Sequence, residues 1–283
     1  MKCREYSLHF FFFVVNCMAA GGKAMLQDFN FHTHTSRCGH AVGTDEEYVR
    51  AAITAGYRRI GFSDHAPYKG SSIKGIRMDW DEIDAYIASI SHLREKYRDQ
   101  IEIHIGFESE FFPGLLDEKK ELSEKVEYML LGQHHNDPYT IAVDYFRENS
   151  EEDILVYAEQ VCAGLDSGLF TYLCHPDVIM MKQRHFTPAC ERAAHMIGAK
   201  CAETNTPVEI NLRGVQKGKK HIDDGMQYYY PNHDFWKILS QYHLNCVYGV
   251  DAHNPRDLLD LSLYDKAHDE LKDLNLNFTD III

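Results

Sequence analysis

From Phe29 onward the chain alternates short, β-prone apolar runs with longer polar stretches that carry apolar residues at helical spacing. The runs Phe29–His32, Arg59–Ser63, Ile101–Phe107, Tyr128–Gly132, Phe170–Cys174, Val208–Leu212 and Cys246–Val250 predict strands. Helices are predicted near 44–55, 81–98, 116–125, 151–167, 187–205, 233–243 and 255–273. The 3.6-residue period is clearest where Ala85, Tyr86, Ser89, Ile90 and Leu93 follow Asp81-Glu82. Thr44 followed by Glu47 reads as a capping box. Pro188 and Pro255 sit where a first helical turn tolerates proline.

Seven strand–helix units in strict alternation require parallel strands joined by right-handed crossovers. A closed or nearly closed α/β barrel accommodates them in one domain, and a doubly wound open sheet is the alternative. No low-complexity linker or short repeat interrupts residues 25–283, which are expected to form that single domain. The segment 1–24 is set apart. Lys2 and Arg4, the apolar run Leu8–Val15 and then Ala19-Ala20-Gly21 imitate a signal peptide. The competing expectation is an over-extended start, with Met25 as initiator.

Composition sharpens this picture in two places. With 29 Lys+Arg against 43 Asp+Glu, the net charge of −14 argues against a nucleic-acid-binding surface, which needs a basic track. The eight cysteines contain no C-x-x-C pair, as expected of free thiols in the cytoplasm. The unusual quantity is 17 histidines. His32 and His34 share one face at the end of the first predicted strand, with His40 on the following loop. Asp64-His65 closes the second strand, Glu108 the third, His134-His135 the fourth, and His175 the fifth. Asp251 and His253 close the seventh.

In a parallel barrel all of these lie on the C-terminal rim, where groups from different strands converge. Six independent elements on one rim predict a multinuclear metal site. Mixed imidazole and carboxylate donors suit zinc, iron, manganese or nickel better than calcium or magnesium.

The motifs H-T-H (32–34), S-D-H (63–65), G-F-E (106–108), G-Q-H (132–134), C-H-P-D (174–177) and D-A-H (251–253) together resemble the PHP (polymerase and histidinol phosphatase) family, in its stand-alone histidinol-phosphatase-like branch. The resemblance implies a distorted (β/α)7 barrel, TIM-barrel-like, with two to three divalent ions (zinc, iron or manganese). Carried over by motif, His32, His34, Glu108 and Asp251 would hold one ion. Glu108, His134 and His175 would hold a second, with His135 the alternative to His134. His40, His65 and His253 would hold a third. Asp64 and Asp177 are expected behind them, orienting imidazoles.

Arg213, beside Glu209-Ile210-Asn211, and Arg77 are expected at the substrate phosphate, where a planar guanidinium binds two oxygens. The implied reaction is hydrolysis of L-histidinol phosphate, a step of histidine biosynthesis. A metal-bridging hydroxide would attack phosphorus, and Asp251, His253 or a metal-bound water would protonate the leaving oxygen. Another small phosphate, such as a nucleotide or sugar phosphate, is the alternative substrate; a catalytically silent module is a distant third reading. No membrane or nucleic-acid partner is expected. Lys217–His221 reads as a solvated basic loop, and Tyr228-Tyr229-Tyr230 as packing for the next helix.

Overall fold

All seven predicted strands form, in the predicted order and all parallel. They are β1 (Phe29–Asn30), β2 (Arg59–Phe62), β3 (Glu102–Ser109), β4 (Tyr128–Leu131), β5 (Tyr172–Leu173), β6 (Val208–Asn211) and β9 (Asn245–Gly249). The computed structural model describes residues 25–70, 75–281 and 283. The expected leader-like or over-extended start at 1–24 lies outside the described residues.

Helices α1 (Asp45–Ala55), α2 (Ile83–Tyr97), α3 (Leu116–Ser123), α4 (Glu151–Asp166) and α5 (Pro188–Thr204) follow the first five strands. Their ends obey local chemistry. Thr44 and Glu47 close the expected capping box on α1, and Gly56 ends that helix in the left-handed region. Thr187 caps α5 with Pro188 in its first turn.

Four features depart from the sequence expectation. The sixth strand leads directly into a short helix, α6 (Leu212–Gln216), capped by Asn211. The basic loop expected after it is instead an antiparallel hairpin, β7 (Lys219–Ile222) with β8 (Gly225–Tyr228). Alternation there is hidden, because Lys220 turns inward to donate to the carbonyls of Met180 and Gln183. The predicted helix 233–243 stops as α7 (His233–Leu239) and tightens into a 3-10 turn that ends at His243 in the left-handed region. The last predicted helix divides into a 3-10 turn at Pro255–Leu259 and α8 (Ser262–Leu271), before an unpredicted β10 (Asn277–Phe278). At two residues, β10 is too short to produce a period.

The sheet curls with order β1-β2-β3-β4-β5-β6-β9-β10. Its ends meet at the C-terminal rim, where His34 N donates to Ala252 O (2.9 Å) and Ala252 N to His32 O (3.2 Å). Below that point the gap between β1 and β9 is spanned by side-chain amides. Gln27 bonds both backbone groups of Tyr248, and Asn30 Oδ1 accepts from Val250 N at 2.8 Å.

The larger core lies between sheet and helices. A smaller one, with Phe29, Phe31, Tyr128, Leu130, Tyr172 and Val247, fills the barrel interior beneath the rim. The interior is narrow. The Tyr128 ring crosses it to donate to the carbonyls of Phe31 and Phe62, in space that a Cβ on Gly61 or Gly106 would occupy.

Asn30→Ala is expected to destabilise the protein by about 2–4 kcal/mol, since it leaves the buried Val250 N–H without an acceptor. Urea unfolding measures this. A loss below about 0.5 kcal/mol would mean that the seam does not depend on that amide.

Candidate metal centre

Strand β3 brings the first carboxylate to the rim. Glu108 is 1% exposed, and between them its two oxygens lie within 3.4 Å of a nitrogen of five imidazoles, Oε1 of His32, His134 and His175 and Oε2 of His34 and His65. Those histidines, His32, His34, His65, His134 and His175, come from the ends of β1, β2, β4 and β5. Glycine makes room for it: a Cβ on Gly132 would sit 2.1 Å from Glu108 Oε1. Asp251 enters from β9, with Oδ1 3.4 Å from His34 Nε2 and 3.7 Å from His32 Nε2. Asp251 and His175 both have positive φ (51° and 26°), which is uncommon for residues with a side chain and is found where surroundings impose a conformation.

The protonation pattern of the rings is legible from their outer nitrogens. His32 Nδ1 donates to Glu209 (2.8 Å), His134 Nδ1 to Glu110 (3.0 Å), His40 Nδ1 to Cys38 O and His253 Nδ1 to Asp251 O (both 3.0 Å). In its neutral form each of these rings therefore presents an Nε2 lone pair inward. The inner nitrogens then face one another: His40 and His253 at 3.0 Å, His32 and His34 at 3.1 Å, His134 and His175 at 3.4 Å. At His40 and His253, whose outer nitrogens both donate to carbonyls, the facing atoms are two lone pairs, which repel at that distance unless a cation sits between them. Two imidazoles on one tetrahedral zinc ion, with bonds of about 2.0–2.1 Å, would place their nitrogens about 3.4 Å apart. The donor set fits metal.

Electrostatics prepares the same outcome. Burial opposes charge on Glu108 and Asp251, but the surrounding imidazoles outweigh it and hold both well below the usual carboxylate range. Against the cost of burial, the neighbouring carboxylates hold His134 up to about 10 and His32 well above the usual imidazole range, whereas burial pushes His65 down to about 3 and also lowers His40.

The expected residues are distributed as follows. His32, His34, Glu108 and Asp251 close on one another, as do Glu108, His134 and His175. His134 points into the cluster, whereas the neighbouring His135 lies on the cavity wall. The third expected group is looser. His40 meets His253, but the His65 ring is nearer His34 (centroids 4.3 Å apart) than His40 (5.2 Å) or His253 (6.2 Å).

Asp64 and Asp177 do not orient imidazoles. Asp64 accepts from Thr35 N and Oγ1, and Asp177 from Asn232 N, so both brace loops; burial raises each to about 6. The residues that do hold rings are Glu110 and Glu209, which the sequence reading missed as site residues. Each lies two positions along a strand from another inward-facing residue, Glu108 and Asn211 respectively, so period-2 alternation was the available signal. Arg77 reaches the cavity, but its guanidinium grips Glu110 with both terminal nitrogens (3.1 and 3.2 Å) and donates to Ala66 O.

A cavity of about 290 Å³ opens over the cluster, at the small end of ligand-binding pockets. Its lining includes Arg213, Lys217 and Tyr230 from the segments after β6 and β8, and Ile76, Arg77, His135, Asp144 and Phe146 from the segments after β2 and β4.

Comparison with known proteins agrees with this construction. The PHP domain matches residues 30–213, about two thirds of the chain. The chain belongs to the PHP domain family. Over 242 residues this PHP domain protein is 27% identical to a probable histidinol-phosphatase of Deinococcus radiodurans, covering 80% of the chain and 86% of that relative. A shorter match, 32% over 93 residues, is to the histidinol-phosphatase of Bacillus subtilis, with 31% of this chain and 35% of that one covered. The fold is shared with a histidinol phosphate phosphatase of Lactococcus lactis solved with zinc, L-histidinol and phosphate. There the TM-score is 0.69 at 15% identity, over 90% of this chain and 97% of that one. The barrel expected of a PHP domain is thus the one observed. No helix among the described residues is long and apolar enough to cross a membrane.

Gly132→Ala is expected to leave the fold intact while displacing Glu108, lowering zinc affinity about 10–100-fold, the scale of lost ligand support. Calorimetric zinc titration with a circular-dichroism control measures it; unchanged affinity would remove Glu108 from the centre. Behind the site, Lys119 is fully buried, its Nζ 2.5 Å from Ser109 Oγ, and burial lowers it from 10.5 to about 7. A folded-state pKa below the unfolded one stabilises above the unfolded value, and that contribution is lost as pH falls through about 7. Lys119→Met should therefore stabilise most at pH 6 and progressively less towards pH 10. A pH-independent difference in urea midpoint would contradict this.

Proposed function

We propose that this PHP domain is a metal-dependent phosphate monoester hydrolase acting on L-histidinol phosphate. The observation that carries the reading is the facing of inner imidazole nitrogens around Glu108 and Asp251, at the floor of a cavity that fits a small metabolite. The likeness to histidinol-phosphatases supports the substrate. His32, His34, Glu108 and Asp251 would hold one divalent ion, and Glu108, His134 and His175 a second. His40 and His253 would hold a third, with His65. Zinc is the first candidate, with iron and manganese compatible with the same donors. Bound there, such ions neutralise phosphate charge and lower the pKa of a coordinated water.

The chain's own residues do the rest. Arg213 spends one Nη1 bond on Asp251 O (3.3 Å), which fixes the side chain at the cavity edge with N–H groups left for phosphate oxygens. Guanidinium donors aimed at charge that grows during transfer stabilise the transition state more than the ground state. Glu209 and Glu110 keep His32 and His134 in the tautomer that leaves Nε2 unprotonated. Arg77 we assign to positioning, because it holds Glu110 and through it His134. Asp251, held ionised by the surrounding rings, and His253, whose Nδ1 proton is committed to Asp251 O, have no proton free for the leaving oxygen, which would take it from water. Tyr230 and Phe146 wall the cavity and narrow the access of bulk water.

The deciding experiment is phosphate release by zinc-, iron- or manganese-loaded enzyme on histidinol phosphate, nucleotides, sugar phosphates and a phosphodiester. The expected result is the highest kcat/KM for histidinol phosphate, falling to the metal-free level in Asp251→Ala and His175→Ala. A better rate on another monoester would overturn the substrate while leaving the metal hydrolase.

A further inference from the structure

We propose that Asp144, with His135 beside it, forms a subsite for the cationic nitrogen end of the substrate. This deepens the functional reading above and rests on it.

Arg213 and Lys217 enter the cavity from a different strand end than Asp144 does. Arg213 lies in α6, directly after β6, where it bonds Asp251 O, and Lys217 follows that helix. Asp144 comes from the loop after β4, and β4 and β6 are separated by β5 in the sheet. A metabolite bound in the cavity would have both the Arg213 and Lys217 cations and the Asp144 carboxylate within its walls.

Asp144 is singled out by what the other acids are doing. Among the described carboxylates lining the cavity, Glu108 and Asp251 are enclosed by imidazoles, and Glu110 is taken by Arg77 and His134. Asp144 is the remaining one. Its side chain is 28% exposed, and its partners are Phe146 N (2.8 Å) and Arg147 Nε (3.2 Å). Arg147 is itself 76% exposed, and such a pair contributes little and yields to a better-placed cation. The bond from Phe146 N fixes Oδ1, and Oδ2 retains acceptor capacity.

The backbone holds this carboxylate against His135. The two residues bridge in antiparallel fashion, and Tyr145 N donates to His134 O at 2.9 Å. His135 Nδ1 is buried without a partner and so has hydrogen-bonding capacity to give a ligand. Phe146 stacks flat on His134 (centroids 5.3 Å apart, planes at 10°), leaving an aromatic wall beside the acid. A carboxylate, an unpaired imidazole nitrogen and an aromatic face together suit an ammonium group carried near a flat ring.

The test compares full-chain, metal-loaded wild type with Asp144→Asn, which is isosteric and keeps an acceptor for Phe146 N. Two substrates are used, L-histidinol phosphate and p-nitrophenyl phosphate, which has no ammonium. L-Histidinol binding is also measured by calorimetry. The expected result is a rise in KM for histidinol phosphate of at least about tenfold, the scale of one charge-assisted hydrogen bond. L-Histidinol binding should weaken in parallel, and kcat/KM for p-nitrophenyl phosphate should stay within about twofold of wild type.

Equal losses on both substrates, or no change on either, would overturn the assignment. If wild type prefers a different ammonium-bearing monoester and Asp144→Asn abolishes that preference, the subsite stands and the histidinol phosphate reading falls. A wild type indifferent to the ammonium would overturn both.

Discussion

Glu108 is a carboxylate sealed from water at the meeting point of five imidazoles, and most of the rim is arranged around keeping it there. An isolated buried carboxylate costs many kcal/mol, and a cluster of neutral rings turning lone pairs toward it would make matters worse. The cost is offset only by positive charge, supplied by divalent ions or by protons on the rings. The outer bonds to Glu209, Glu110, Cys38 O and Asp251 O place the ring protons on the outside. That choice favours a cation inside. It also accounts for glycine at 132, where any side chain would collide with the carboxylate.

The barrel serves the same constraint by a second route. Ring nitrogens must be held to within tenths of an ångström, and strand ends in a closed sheet provide such rigidity. Closure is achieved at the rim, where the backbone of His32 and His34 pairs with Ala252, so the residues between which the seam closes are themselves neighbours of the cluster. Lower down, where β10 lies against β9, the amides of Gln27 and Asn30 replace missing ladder bonds. The weakest part of the sheet is thereby kept away from the metal centre.

The cavity above the cluster inherits its polarity from this layout. Arg213, next to Asp251, is cationic, whereas the loop after β4 brings the Asp144 carboxylate and the Phe146 ring. Its volume of about 290 Å³ suits a small metabolite. The buried ion pair between Arg77 and Glu110 links the wall to a histidine of the cluster, so substrate shape and metal geometry share one support.

Much of this was legible in the chain. Alternation of short apolar runs with helical periods determined seven parallel units, and the His and acid positions after those runs determined that a metal site lies on one rim. Both follow from local geometry, because a strand end fixes where the next side chain points. The hairpin at 219–228 and β10 were not legible: Lys220 is half-buried and tied to distant carbonyls, and two residues cannot show a period. Nor could spacing reveal that Asp64 and Asp177 brace loops while Glu110 and Glu209 hold rings. Which carboxylate reaches which nitrogen depends on contacts between residues up to 177 positions apart, such as His32 with Glu209. The same holds for the division of the two arginines, Arg77 turned to Glu110 and Arg213 to the cavity edge. Sequence determined the kinds of donor and the end of the barrel they share; only the closed tertiary structure decided their partners, because those are set by how seven strands curl together.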